Sequence, residues 1–148
     1  MELREWHGVA VPDEVWDGVA ASYRAAFPAA ERMGEDVLRA GIETGGRRLW
    51  TLGGVDAFAI AQALTTAPPW MFGEYLAVRA EARSGGLGGE LLGMMRGLGR
   101  PLVLEVEDPE WGGDMAVRRI RFYERHGARR VPGSEPFRAP DLETPGES

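Results

Sequence analysis

The segment from Tyr75 to Met95 constrains the fold of this chain more than any other feature of the sequence. It begins with an apolar run typical of a strand, continues through a turn with one arginine and four glycines, and ends with the apolar spacing of an amphipathic helix. Unpaired N–H groups and the helix dipole favour negative charge at a helix N-terminus, and glycines allow an anion to approach the backbone. We therefore predict that a phosphorylated ligand binds at residues 83–89.

The composition of the 148-residue chain limits its chemistry. It has no cysteine, which excludes disulfides and thiolate catalysis, and its two histidines show no metal-binding spacing, so no metal is expected. All 17 basic residues are arginine, which excludes a P-loop lysine and Schiff-base chemistry. A net charge of −6 argues against nucleic acid as a partner. Without a signal peptide or an apolar run of about 20 residues, we expect a cytoplasmic protein that does not bind membranes.

Apolar periodicity and turn residues predict the order of the elements. We expect helices over 13–27, 31–43, 86–98 and 114–126, and strands over 47–52, 55–64, 70–78, 102–106 and 128–131. The strands on either side of the third helix should be parallel, because a β-α-β unit connects them. Residues 1–131 should form one domain. Residues 132–148 are rich in proline, glycine and acidic residues and should be a loose tail.

The turn satisfies the pattern Arg83-x-x-Gly86-x-Gly88, which other kinds of turn could also produce. A dinucleotide-binding turn is disfavoured because Leu91 stands where the third glycine belongs and the glycines start seven residues after Val78. A P-loop is disfavoured by the lack of lysine. A plain glycine-rich turn stays open, since the chain has 21 glycines.

Two segments carry a family resemblance. Tyr75-Leu-Ala-Val78, Arg83-Ser-Gly-Gly86-Leu-Gly88 and Leu91-Leu92 together resemble the acetyl-CoA-binding motif of the GCN5-related N-acetyltransferases, the GNAT superfamily. Further on, Arg119-Ile-Arg-Phe-Tyr123-Glu-Arg-His-Gly127 resembles the second signature of that superfamily. The resemblance covers roughly residues 3–131. It implies an α+β fold with α/β/α layers: a mixed, mostly antiparallel sheet with a splayed parallel pair, flanking helices, and a last strand that is weak or missing.

The resemblance also implies how acetyl-CoA would bind as the co-substrate. The pantetheine arm would lie between the splayed strands and pair with the backbone of Leu76 and Val78, as an added strand would. A backbone N–H near Ala77 would polarise the thioester carbonyl, and Arg83 would contact the pyrophosphate. The remaining pyrophosphate contacts would be the N–H groups of Ser84, Gly85, Gly86, Leu87, Gly88 and Gly89.

Proton transfer would involve a tyrosine and a glutamate. Tyr123 matches the general acid of the family, although an aromatic residue packed on the sheet is the alternative. Glu74 and Glu105 are the carboxylates predicted on strands near the splay, and we prefer Glu74 as the base. Strand alternation places Glu74 on the face of Leu76 and Val78. An amine that arrives neutral would need no base.

These expectations define the predicted reaction. Without cysteine, acetyl would pass directly from acetyl-CoA to a primary amine of a small molecule or peptide. The alternative is a catalytically silent acyl-CoA-binding or regulatory module. The family often has asparagine where this chain has Ala116, which puts some pantetheine contacts in doubt. Because the edge at 102–106 would be left uncovered, we expect either a strand near Phe137 or a second subunit in a homodimer.

Overall fold

A computed structural model describes residues 2–63, 70–106 and 109–129. Backbone contacts group the chain into two compact units, Met1–Glu105 and Val106–Ser148. The strands are β1 Leu3–Trp6, β2 Arg48–Leu52, β3 Ala57–Ala63, β4 Met71–Val78 and β5 Leu102–Leu104. The α-helices are α1 Asp13–Ala26, α2 Glu35–Thr44, α3 Leu87–Arg96 and α4 Pro109–Arg125, and short 3₁₀ turns occupy Ala29–Glu31 and Ala80–Gly85.

The five strands form one sheet in the order β1-β2-β3-β4-β5. The first three pairings are antiparallel. β4 and β5 are parallel, with Met71 opposite Leu102 and Gly73 opposite Leu104. The sequence prediction of a mixed, mostly antiparallel sheet with one parallel pair is therefore confirmed.

Helices cover both faces of this sheet. Because side chains alternate along β3, Phe58 and Ile60 pack in a cluster with α1 and α2. On the other face, Ala57, Ala59 and Ala61 pack in a cluster with α3. Leu38 and Ile42 are the fully buried residues of α2, and α3 buries Leu91, Leu92 and Met95. The layered arrangement agrees with the predicted α/β/α order.

Two predicted boundaries before β3 are wrong. The second helix begins at Glu35, not at residue 31, because a 3₁₀ turn over Ala29–Glu31 precedes it. The turn between β2 and β3 spans residues 53–56 and is longer than Gly53-Gly54. Val55 adopts a positive φ of 61° in that turn, and its Cβ lies 3.3 Å from the position that a Cβ on Gly18 of α1 would occupy. Val55 thus has an unfavourable backbone conformation and packs closely against the bare backbone of Gly18.

The second unit contains α4. Gly113 has non-helical angles (φ 61°, ψ −145°), so the regular part of the helix begins at Asp114, as predicted. Gly127, with φ 95°, terminates it, and the N–H of Ala128 reaches the carbonyl of Tyr123 at 2.9 Å. Ala128 and Arg129 are not in a strand, and the rest of the predicted strand, Phe137 and the tail lie outside the described residues. Among the helices of residues 2–63, 70–106 and 109–129, none has both the length and the apolar composition that a membrane span requires.

Candidate functional site

A β-bulge divides β4 into two parts. Tyr75 lies opposite Ile60 on β3, whereas the next residue of β3, Ala61, lies opposite Gly73. Glu74 is therefore an extra residue without its own partner on β3. A bulge of this kind bends the strand and interrupts the alternation of its side chains.

The carboxylate of Glu74 binds Arg47, which directly precedes β2. Arg47 donates from Nε to Glu74 Oε1 at 2.8 Å and from Nη2 to Oε2 at 3.5 Å. Both side chains are largely buried, with exposed fractions of 15% for Arg47 and 12% for Glu74. The Arg47 side chain also lies against Gly41 of α2, whereas Leu76 and Val78 pack in the cluster on the α3 side. The prediction that Glu74 shares the face of Leu76 and Val78 is wrong, because the bulge breaks the alternation.

The far half of β4 has one open edge. β5 ends at Leu104, opposite Gly73, so that no strand in the described part of the chain pairs with residues 74–78 on that side. The two parallel strands thus separate just where the bulge lies. A strand edge without a neighbour presents unpaired N–H and C=O groups to a ligand.

The register identifies which backbone groups point toward the open edge. Arg79 donates its N–H to the carbonyl of Asp56 at 2.8 Å, so Arg79 directs its N–H toward the β3 side. Because successive residues of a strand alternate, the backbone groups of Ala77 also face β3, and those of Leu76 and Val78 face the open edge. The structure thus brings Leu76 and Val78 to the position expected for the pantetheine contacts, whereas the N–H expected to polarise the thioester is not that of Ala77 itself.

Arg83 lies next to this edge. It belongs to the 3₁₀ turn Ala80–Gly85, and its exposed side chain donates from Nε to the carbonyl of Val78 at 3.3 Å. Its neighbour Arg79 instead forms an ion pair with Asp56 in the β2–β3 turn. Arg83 is thus a cation at the end of the open edge, with its remaining guanidinium donors available to a ligand.

The N-terminus of α3 follows immediately. Gly86 has a positive φ of 72°, and nothing lies within 4 Å of the place where its Cβ would be. The first intrahelical bond runs from the N–H of Glu90 to the carbonyl of Gly86 at 3.1 Å. No side chain caps this end, so the N–H groups of Leu87, Gly88 and Gly89 have no intrahelical acceptor. This geometry suits an anion.

Glu105 lies just beyond β5, and its prediction as a strand residue is wrong. It directly follows the last paired residue of the strand, Leu104, and its side chain is exposed. No ion pair joins it to another described side chain. Over residues 2–63, 70–106 and 109–129, no group of three or more histidine or acidic side chains could hold a metal ion.

Tyr123 lies on α4 in the second unit. Its ring is half-buried and packs edge-on against Phe122, with ring centroids 5.3 Å apart. Burial raises the pKa of the Tyr123 phenol above its usual value, and the nearby Arg119 cation opposes that shift. The phenol therefore stays protonated near neutral pH, the state that a proton donor requires.

Sequence reasoning missed the role of Tyr75. Its ring packs edge-on against Tyr23 of α1 at a centroid distance of 4.9 Å. Its hydroxyl donates to the carbonyl of Glu31 at 3.1 Å and accepts from the N–H of Met33 at 3.3 Å, while Tyr23 donates to the carbonyl of Met33 at 2.8 Å. The two tyrosines fix the segment between α1 and α2 to β4 beside the bulge. The aromatic spacing in α1 was visible in the sequence, but this partnership was not.

Comparisons with known proteins agree with this architecture. No protein-family model matches the chain. A Bacillus subtilis (strain 168) protein, YjbC, named as a candidate acetyltransferase, is 38% identical over 56 residues, which are 38% of this chain and 29% of that protein. The match thus spans less than a third of the length of this curated relative.

Solved structures are similar over more of the chain. A GNAT-family protein from Bacteroides thetaiotaomicron, also named as a candidate acetyltransferase, superposes with a TM-score of 0.69 and 26% identity, covering 84% of this chain and 70% of that one. An aminoglycoside acetyltransferase from an uncultured soil metagenomic sample superposes with a TM-score of 0.68 at 10% identity, covering 94% of this chain and 95% of that one. A protein from Agrobacterium tumefaciens str. C58, also named as a candidate acetyltransferase, superposes with a TM-score of 0.63 at 20% identity. The match covers 94% of this chain and 100% of that one.

The sheet is mixed and its parallel pair separates, and an uncapped helix follows the glycine-rich turn. Together these features place the chain among proteins with an acyltransferase fold. Within that class, the chain has the fold of the GNAT superfamily, as its two motifs predicted.

Proposed function

We propose that this chain is an acyltransferase that moves acetyl from acetyl-CoA to a primary amine. The observation that carries the proposal is the arrangement around β4: an open edge beside a bulge, followed by Arg83 and an uncapped helix N-terminus. The similarity to proteins named as acetyltransferases supports it.

The cofactor would bind along this arrangement in one direction. The amides of pantetheine would pair with the outward backbone groups of Leu76 and Val78. The pyrophosphate would then lie on the N–H groups of residues 84–89, where the helix dipole and Arg83 favour its charge. Arg83 would exchange its bond to the Val78 carbonyl for one to the phosphate.

The chemistry follows from this placement. The amine nitrogen attacks the thioester carbon, a C–N bond forms, and the C–S bond breaks. A backbone N–H near Ala77 stabilises the oxyanion, and Tyr123 gives its proton to the departing thiolate. The proton released by the amine goes to Glu105 or to water.

Glu74 fits the role of base less well than the sequence suggested. Protonation would remove the charge that Arg47 binds, and the guanidinium would be left largely buried without its partner. Glu105 is exposed and follows the residue where β4 and β5 part. These two facts support Glu105, or a water molecule beside it, as the proton acceptor.

Thiol release from acetyl-CoA, measured over a panel of amines (amino acids, polyamines, aminoglycosides and peptides), tests the reaction. We expect turnover with at least one amine class. Calorimetry measures binding: Arg83→Ala should weaken acetyl-CoA binding by about 1.5–3 kcal/mol, the contribution of a charged hydrogen bond. Arg4→Ala is the matched control, because Arg4 lies on β1 with a 59% exposed side chain.

The turnover and binding measurements together distinguish an acetyltransferase from a silent binding module. Acetyl-CoA binding that depends on Arg83 without transfer to any amine would support the silent binding module instead. Unchanged affinity in Arg83→Ala would contradict the assignment of the pyrophosphate site.

A further inference from the structure

Arg32 differs from the other half-buried arginines of the first unit. Arg39, Arg47 and Arg48 each form an ion pair with an acidic side chain. Arg32 has no such partner among the described residues. Its Nε is buried without a hydrogen bond, as is that of Arg48, but Arg48 pairs with Glu5 through Nη1. The half-buried Arg100 is also unpaired, but it has no buried unbonded nitrogen. A shielded guanidinium N–H without an acceptor is unfavourable, so this site would gain from an anion.

The position of Arg32 is fixed by its neighbours. It ends the 3₁₀ turn over Ala29–Glu31, with its N–H bonded to the carbonyl of Ala29 at 3.2 Å. The residues on both sides, Glu31 and Met33, are tied through their backbone to the hydroxyl of Tyr75. Tyr75 is two residues before Ala77 on β4, so the turn that holds Arg32 is fastened to the part of β4 with the open edge.

The charge of Arg32 acts on this same cluster. Burial raises the pKa of the Tyr23 phenol, Tyr75 raises it further, and the Arg32 cation opposes the shift. The hydroxyls of Tyr23 and Tyr75 are occupied by the backbone of residues 31–33. Arg32 is therefore a cation on a turn that is bonded to β4 through Tyr75, and its side-chain donors are not used by the side chains around it.

We propose that Arg32 binds a carboxylate of the acceptor, so that the acetylated amine belongs to an amino-acid-like molecule. This proposal rests on the proposed acetyl transfer. Nε and one Nη of a guanidinium form a planar fork that matches the two oxygens of a carboxylate. Binding of a carboxylate would give the Arg32 Nε the hydrogen-bond acceptor that it lacks. A carboxylate held at Arg32 would fix the orientation of an amine that approaches the thioester near Ala77.

The test compares amines that carry a carboxylate with amines in which it is esterified. Thiol release from acetyl-CoA is measured with each of the twenty standard amino acids and with its methyl ester, which keeps the amine and removes the carboxylate. For the preferred amino acid, we expect kcat/KM to exceed that of its ester by about 10-fold or more, the effect of one charged hydrogen bond. A protein that prefers no amino acid over its ester would overturn the proposal.

Variants assign the preference to Arg32. Arg32→Gln should remove most of the difference between acid and ester through a higher KM, with kcat little changed, and Arg32→Lys should restore part of it. Arg4→Gln should leave the difference intact, since Arg4 is an exposed residue of β1. An acid preference that survives Arg32→Gln would contradict the assignment.

A binding measurement keeps this test separate from that of the reaction. The melting temperature of the protein is recorded with each amino acid and each ester, without acetyl-CoA. Stabilisation by an acid but not by its ester, lost in Arg32→Gln, would support the carboxylate site even if no acetyl transfer occurs. Equal shifts for acids and esters would contradict it even if transfer does occur.

Discussion

Arg47 Nε and Glu74 Oε1 lie 2.8 Å apart and join the residue before β2 to the bulge of β4. The bulge is where β4 and β5 part, so this ion pair stabilises the strand at the start of its open edge. Glu74 was the sequence-based candidate for the base. Its partnership with Arg47 makes it a residue that holds the shape of the site.

The first prediction concerns the stability given by this ion pair. Glu74→Gln should lower the free energy of unfolding by about 2–4 kcal/mol, because it leaves the largely buried Arg47 charge without its counterion. Urea denaturation measures the change. Arg4→Gln is the control: its pair with Glu2 is exposed and should contribute less than about 1 kcal/mol.

The same variant separates a structural role from catalysis. If Glu74 only shapes the strand, the double variant Arg47→Met/Glu74→Gln should regain part of the stability that Glu74→Gln loses, and activity should follow stability. A Glu74→Gln protein of normal stability with its kcat reduced 100-fold would show that Glu74 is the base after all.

The second prediction concerns the turn between α1 and α2. Tyr75→Phe removes the acceptor of the Met33 N–H and the donor to Glu31, so we expect a loss of about 1–3 kcal/mol in unfolding free energy. Since that turn carries Arg32, the KM for the acceptor should rise while the acetyl-CoA affinity stays the same. Calorimetry and steady-state kinetics on one preparation check both statements. An unchanged KM would mean that the turn does not border the acceptor.

The third prediction is a loss of stability at alkaline pH. Burial, with a further contribution from Tyr75, raises the pKa of Tyr23, so the folded state favours the neutral phenol. This contribution is fully present below the unfolded phenol pKa of about 10 and is lost as pH rises above it. The chain has three tyrosines and no lysine, so few other groups titrate in this range.

Urea denaturation between pH 8 and 11.5 measures this effect. The unfolding free energy should fall above pH 10 by up to about 1.4 kcal/mol per pH unit for each proton released on unfolding. Tyr23→Phe should reduce that slope. If the variant and the wild type have parallel profiles, Tyr23 is not the group responsible.

The fourth prediction tests the proton donor. Tyr123→Phe should lower kcat by about 10²-fold and leave the acetyl-CoA affinity unchanged, because the change removes one proton donor and no cofactor contact. Tyr23→Phe is the control for kcat: its hydroxyl bonds to the turn that carries Arg32, so its loss should affect the acceptor KM and leave kcat unchanged. Wild-type turnover in Tyr123→Phe would assign the protonation of the thiolate to water.

The sequence predicted the order of the elements and the glycine-rich turn because these depend on local signals. Apolar periodicity placed β4 and α3 within a few residues, and the missing Cβ at Gly86 marked the start of α3. The bulge at Glu74 depends instead on how β4 pairs with β3, two strands whose register no local pattern determines. One extra residue was enough to move Glu74 to the other face.

The same limit explains Glu105 and Arg32. A run of apolar residues predicted a strand through residue 106, yet pairing with β4 stops at Leu104 because the two strands diverge. The unpaired state of Arg32 could not be predicted from the sequence, since it depends on which acidic residues the fold brings near it. Contacts between distant segments decide both, and local propensity does not report them.

The central claim is that the open edge of β4 and the N-terminus of α3 bind coenzyme A. Its most direct test is a titration of the ¹⁵N-labelled protein with coenzyme A, followed through the backbone amide resonances. We predict that the amides of Leu76, Val78, Leu87, Gly88 and Gly89 shift together with one dissociation constant, while those of β1 do not move. Saturable binding that leaves these five amides unchanged, or no binding at millimolar coenzyme A, would contradict the account.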